Sequence, residues 1–203
     1  MNDSPIDAKE CATADTSSDE QLMVAFSKGS AEAFSLLFSR YRQPLCGFFR
    51  RRIADPSHAE ELTQETFLAV LRASSRYEPR ALFRTYLYAV GFKILRAYRR
   101  KAAFRATFLG ATAGFREPAM QNVTDAELLL RQAIGKLEHT DREILLLREF
   151  EQLSYTEMGE LLGLPVNTVR SRLFRARMAL RDLLAAPAPK SSAVELAGSE
   201  GRI

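Results

Sequence analysis

Residues 155–180, YTEMGELLGLPVNTVRSRLFRARMAL, constrain the fold of this 203-residue chain more than any other stretch. Ser154, with Glu157 three residues on, forms a capping box and predicts a helix start at 155. Gly159 is small enough for two helices to cross closely, and Gly163 supplies the turn between them. Leu164-Pro165 leads into a second helix, on which Val169, Leu173, Ala176 and Leu180 fall within about 60° on a helical wheel. That cluster has to face a core. Asn167, Ser171, Phe174 and Arg175 then point outward, with Arg170 and Arg177 on one flank and Arg172 on the other. Two short helices joined by a tight turn, the second rich in arginine, predict a helix–turn–helix whose outer face meets duplex DNA. An outward Phe174 is costly unless something covers it, and a thymine methyl in a major groove is a suitable cover.

Helical periodicity runs through the rest of the chain and strand signals are nearly absent, so the fold class is all-α. Ser18 with Gln21 caps a first helix. A longer helix follows Ser30 and carries Phe34, Leu37, Phe38, Tyr41, Leu45 and Phe48 on one stripe, with Pro44 expected to kink it. Asp55-Pro56 is an N-cap and first-turn pair for a helix to about 75. Over 81–101, Phe83, Leu87, Val90 and Ile94 mark a buried stripe. Thr140 with Glu143 reads as another capping box, predicting a helix start at 141.

Residues 102–125 lose this regularity, mixing Gly110, Gly114 and Pro118 with Thr and Ala, and read as a flexible linker with room for a helical turn in AAFRATFL. The expected layout is two small helical domains, 18–101 and 126–185, joined by that linker. Residues 1–17 and 186–203 read as disordered tails.

Charge is partitioned along the chain. Residues 19–101 carry 15 bases and 8 acids, whereas 126–185 carry nine of each. Within the second part, Glu127 to Glu160 holds eight acids and four bases, while Arg170 to Arg181 holds five Arg and no acid. A basic block on a helix–turn–helix points to phosphate contact. Cys11 and Cys46 are too few for a disulfide scaffold or thiolate site, and His58 and His139 are isolated, so no metal or cofactor is expected. No nucleophile–base pair or phosphate loop is legible, so an enzyme is not expected. The acidic start MNDSPIDAKE has no apolar core and no run is long enough to span a bilayer, which predicts a cytoplasmic protein.

The segment LSYTEMGELLGLPVNTVRSRLFRARMALRDLL resembles region 4 of the extracytoplasmic-function sigma factors of bacterial RNA polymerase. AEELTQETFLAVL and the run FRTYLYAVG…AYRRK resemble region 2 of the same family. Both halves, in this order and spacing, cover roughly 140 positions. The resemblance implies a region 2 bundle and a region 4 helix–turn–helix that bind core RNA polymerase and promoter DNA at the −10 and −35 elements. It places Glu61, Gln64 and Glu65 on the polymerase clamp, with Leu62 and the neighbourhood of Val70 packed inside. It places Arg80, Tyr88, Phe92, Lys93, Arg96, Arg99 and Arg100 on the −10 strand, where bases track a backbone and aromatics stack. Phe83 and Tyr86 count as structural. Asn167, Arg170, Ser171, Arg172, Phe174, Arg175 and Arg177 fall to the −35 element.

Departures from the family pattern sit at Tyr86 (usually Trp), Lys93 (often Asn), Ala97 (often Asp) and Glu138 (often Pro), and the middle two alter the −10 segment. Many members are held by an anti-sigma factor, often membrane-bound, so a regulator of that kind joins the partners in prospect, although no residue here points to one. The competing reading is a helix–turn–helix regulator that acts on operators without core polymerase. It predicts dimers and palindromic sites, and the acidic face at Glu61 argues against it.

Overall fold

Short polar side chains start five of the helices, each by accepting a hydrogen bond from an amide that the first turn leaves unpaired. In the computed structural model, which describes residues 17–53, 55–109 and 124–185, Ser18 accepts from the Gln21 amide at 3.2 Å and opens α1 (Asp19–Ser27). Ser30 does the same for α2 (Ala31–Arg50), and Asp55 for α3 (Pro56–Ala73), which ends in a 3-10 turn at Ser74–Arg76. After α4 (Phe83–Leu109), Thr124 caps α5 (Asp125–Lys136). Then come α6 (His139–Glu149), α7 (Tyr155–Leu162), begun by the Ser154–Glu157 box, and α8 (Val166–Ala185). All regular elements among the described residues are helical.

Two local expectations need correction. Glu138, not Thr140, caps α6, accepting from the Thr140 and Asp141 amides at 3.1 and 3.2 Å. The start moves back to His139, and Glu143 is left free for another use. Helix α4 runs on to Leu109 instead of stopping near 101, because no residue before Gly110 breaks it. The linker's first eight residues are therefore helix, while 110–123 and the tails at 1–16 and 186–203 lie outside the described residues. Helix α2 passes through Pro44, which is exposed.

The first half packs α2, α3 and α4 around Leu37, Leu45, Phe48, Phe49, Phe67, Val70, Leu87 and Leu95. A chain of rings reinforces it: Phe26 lies 4.8 Å from Phe34, Phe38 lies 4.8 Å from Phe67, and Tyr41 meets Phe83 edge-on at 5.4 Å. In the second half Ile144, Leu147, Leu153, Met158, Val169, Leu173 and Ala176 are buried where α6, α7 and α8 meet.

Gly163 ends α7 in the left-handed region, at φ 69°. Gly159 is needed for a different reason: a Cβ there would sit 2.8 Å from the carbonyl oxygen of Leu164. We expect Gly159→Ala to cost about 1–3 kcal/mol, since backbone must move to admit the methyl. Gly135→Ala on α5, where a Cβ meets nothing within 4 Å, should instead stabilise by about 0.5–1 kcal/mol through helix propensity. Paired thermal melts of the two variants measure both effects, and equal melting temperatures would remove the steric account of Gly159.

The halves also pack against one another. Arg52, at the end of α2, is buried with its Nε 2.7 Å from Glu143 of α6 and its Nη1 3.3 Å from Glu151. Arg51 reaches Glu151 at 2.8 Å, and Arg99 of α4 reaches Glu143 at 3.1 Å. Arg84 donates to the Gln152 carbonyl at 3.3 Å, and the Thr85 hydroxyl to Glu157. Burial alone would push the Glu143 carboxyl up, but the Arg52 and Arg99 guanidiniums outweigh it and hold the group below its ordinary range.

Candidate nucleic-acid interface

The crossing of α7 and α8 leaves one side of α8 with no neighbour. Val169, Leu173 and Ala176 are buried, as the wheel requires, while Asn167, Arg170, Ser171, Phe174 and Arg175 are exposed, Phe174 at 65%. The arginines divide by partner. Arg170 stands over the Tyr155 ring at 5.5 Å, at the start of the open face. Arg172 is half-buried and donates to Glu138 and Asp141, both at 2.9 Å, tying α8 to the start of α6. Arg177 pairs with Glu149 at 2.6 Å, with both side chains about half exposed. An exposed pair of that kind is worth little and exchanges readily for a phosphate. Arg172, held by two carboxylates, is anchored to the rest of its domain, unlike Arg170 and Arg175 on the open face.

On α3 the acids lie where the helical wheel puts them. Glu61, Gln64 and Glu65 are all exposed, and Leu62 and Val70 are buried. Leu68 falls on the outer face one turn beyond Gln64 and is 47% exposed, so the polar patch is continued by an apolar residue that sequence reasoning passed over.

Helix α4 departs most from expectation. Tyr88 and Phe92 are only 3% and 5% exposed. Tyr88 packs 5.5 Å from Phe48, and burial pushes its phenol up to about 12. Neither ring can stack on a base without leaving the core, so both are withdrawn from the −10 set. The reason is the width of the buried arc. Phe83, Leu87, Gly91, Leu95, Tyr88 and Phe92 span about 180° of the helix, because α4 is covered by α2 and α3 and also by α7. Arg99 lies at the edge of that arc and is engaged by Glu143.

The opposite side of α4 is open and basic. Lys93, Arg96 and Arg100 are exposed, and with half-buried Tyr86 they fall within about 80° of one another. Tyr86 leads from this row into an open hollow of about 690 Å³ lined by Arg72, Arg76, Tyr77, Glu78 and Arg80. Tyr77 and Tyr86 meet edge-on at 5.3 Å, and Arg80 is exposed, leaning on Glu78 at 2.6 Å. A hollow with two tyrosine rings and three guanidiniums offers stacking and charge together, which is the chemistry an unpaired nucleic-acid strand needs. The signal for it was present in the spacing of Arg76, Tyr77, Arg80 and Tyr86, but Tyr86 reads as core on a single-stripe wheel.

Among the described residues no helix is long and apolar enough to cross a membrane, and no group of three or more His, Cys, Asp or Glu is placed to hold a metal ion.

Comparison with known proteins agrees with this arrangement. Residues 37–104 match the family Sigma-70 region 2, and residues 127–180 match Sigma-70, region 4. The chain is 30% identical over 180 residues to the RNA polymerase sigma-H factor of Pseudomonas aeruginosa, covering 82% of this chain and 93% of that one. It is 30% identical to the ECF RNA polymerase sigma-E factor of Escherichia coli, covering 80% and 92%. CnrH, solved in complex with the cytosolic domain of CnrY, shares its fold at a TM-score of 0.64 and 26% identity, over 84% of this chain and 99% of that one. Two halves matched in order, across nearly the whole length of characterised relatives, place the chain among the extracytoplasmic-function sigma factors of the sigma-70 family, non-enzymatic proteins that direct promoter-specific transcription initiation by RNA polymerase.

Proposed function

We propose that this sigma factor divides its work among three surfaces. The open face of α8, with Asn167, Arg170, Ser171, Phe174 and Arg175, reads the −35 element, and Arg177 holds a flanking phosphate. The row Tyr86, Lys93, Arg96 and Arg100, with the hollow at Arg76, Tyr77 and Arg80, takes the unpaired −10 strand. The acid and amide face at Glu61, Gln64 and Glu65 docks on core polymerase. One observation carries the reading: the basic residues of α8 and α4 and the acid and amide residues of α3 form separate exposed surfaces, while the faces behind them are core. The same reading puts its action in the cytoplasm with the polymerase. An anti-sigma factor is expected too, since CnrH was captured with the cytosolic domain of a second protein.

In vitro transcription with core polymerase on sheared DNA of the source genome, with and without the chain, identifies its promoters and tests the division. Arg170→Ala should cost about 1–3 kcal/mol and relax preference at one or two base pairs of the −35 element, as loss of a base-edge contact does. Arg177→Ala should weaken binding evenly across −35 sequences and lower the salt dependence. Unchanged promoter selection by Arg170→Ala would remove α8's first turns from the readout.

A further inference from the structure

The turns by which α4 outlasts position 101 carry the basic row onward and end it in an aromatic ring. Phe104 lies 18 residues past Tyr86. That is five full turns, so the two rings share one bearing on the helix, about 27 Å apart. Lys93 and Arg100 stand near that bearing between them, and Ala89 and Ala97 are small enough to let another surface come close. Phe104 is 63% exposed. Arg100 and Lys101, one turn back, flank it on both sides within about 60°, and Arg105 follows at about 100°; all three are exposed.

Helix α4 holds seven Arg or Lys and no Asp, Glu, Asn or Gln. A single ring among cations is a poor patch for another protein, since the centre of a protein–protein interface is depleted of charge. It suits an anionic polymer with apolar surface between its charges: phosphates meet the cations, and sugars and base edges meet the ring. The chain has a parallel in Phe174, 65% exposed among the arginines of α8. Direction follows from connectivity. The C-terminal end of α4 leads towards the half that carries α8, and the −35 element assigned to α8 lies upstream of the −10 element. The far end of the row therefore points upstream, where the promoter is paired.

We propose that Phe104, with Lys101 and Arg105, grips the duplex of the promoter spacer just upstream of the opened strand. The ring lies in a groove against sugars and base edges, and the two cations hold phosphates beside it. A length of about 27 Å matches about eight base pairs, so the contact falls no further than that from the base at Tyr86. The proposal rests on the reading of α4 as the −10 surface and extends that surface from an unpaired strand to paired DNA.

The test uses holoenzyme, core polymerase with the full chain, on two forked templates that share the unpaired −10 strand and lack a −35 element. The upstream duplex, closed by a hairpin loop, is about three base pairs long in one and about twelve in the other. Unmutated holoenzyme should bind the long template more tightly. Phe104→Ala should lose about tenfold on the long template, roughly the effect of one partly buried phenyl ring, and change little on the short one. Phe104→Tyr, which keeps the ring, should bind like the parent, and Lys101→Gln should lower the salt slope on the long template by about one. Equal losses by Phe104→Ala on both templates, or none on the long one, overturn the proposal. A photoreactive p-benzoylphenylalanine at Phe104 should crosslink the paired spacer within about eight base pairs of the fork, and this readout holds even if the alanine variant does not fold. Crosslinks confined to polymerase subunits overturn the proposal. The same probe at Tyr86 tests the −10 reading separately: if it misses the unpaired strand while the probe at Phe104 still marks the spacer, the −10 reading fails and the duplex contact stands.

Discussion

Reversing one charge on α3, Glu61→Lys, is expected to abolish holoenzyme formation while leaving the fold intact. The side chain is exposed, and it shares its face with Gln64, Glu65 and the half-exposed Leu68, with no other helix over it. Its loss therefore leaves no buried partner unpaired and opens no cavity. The first half carries 15 bases against 8 acids over residues 19–101, so an acid and amide patch there stands out as a site for a basic partner. Placing a lysine in that patch turns attraction into repulsion across the interface, and like-charge juxtaposition there costs several kcal/mol. That amounts to about a hundredfold or more in affinity. Glu61→Gln should lose much less, because the amide keeps its size and repels nothing. Pull-down of core polymerase with the three proteins, alongside thermal melts, measures both. Wild-type recovery of polymerase by Glu61→Lys would move the docking surface off α3.

Tyr86→Ala should produce the second large effect, at the step where the −10 duplex opens. Its ring leads from the row of Lys93, Arg96 and Arg100 into the hollow beside Tyr77. Loss of a base–aromatic stack costs about 1–3 kcal/mol, which is roughly 5- to 150-fold in open complex. The ring also packs 6.3 Å from Phe83, so some of the change will appear as stability. Tyr86→Phe separates the two, since it keeps stacking and packing and loses only the hydroxyl. The expected pattern is a large defect in Ala and near-normal opening in Phe, read by permanganate reactivity of the −10 strand. A promoter already mismatched at the −10 element should rescue less than half of the Ala defect in binding, because the stack is needed after opening too. An Ala variant that opens promoters normally would return Tyr86 to a purely structural role.

The contrast between helices α8 and α4 shows where sequence reasoning reaches and where it stops. On α8, four apolar positions form one stripe, and three of them are buried while the fourth, Leu180, is half-buried. That helix packs on one side only, so a single stripe is the whole story. On α4 the stripe of Phe83, Leu87, Val90 and Ile94 finds one edge of the core and misses the rest. A second layer from the other half packs on α4 and engages Arg99, and a wheel drawn for one helix contains no information about it.

What the sequence determined by itself were the properties set by near neighbours: the caps at Ser18, Ser30, Asp55 and Ser154, the tight crossing at Gly159, and the outward face of α8. Each depends on residues within a turn or two, where the hydrogen-bonding geometry is local. Tertiary structure alone decided the fate of Glu143. Read locally it completes a capping box with Thr140, yet it lies buried against Arg52, 91 positions earlier in the chain. Two opposite charges that far apart meet only when the halves pack, and desolvation makes that meeting decisive: inside the contact each charge must have its partner. Packing on α4 likewise buried Tyr88 and Phe92, drew Arg99 into the ion pair with Glu143, and left Tyr86 at the edge of the open surface.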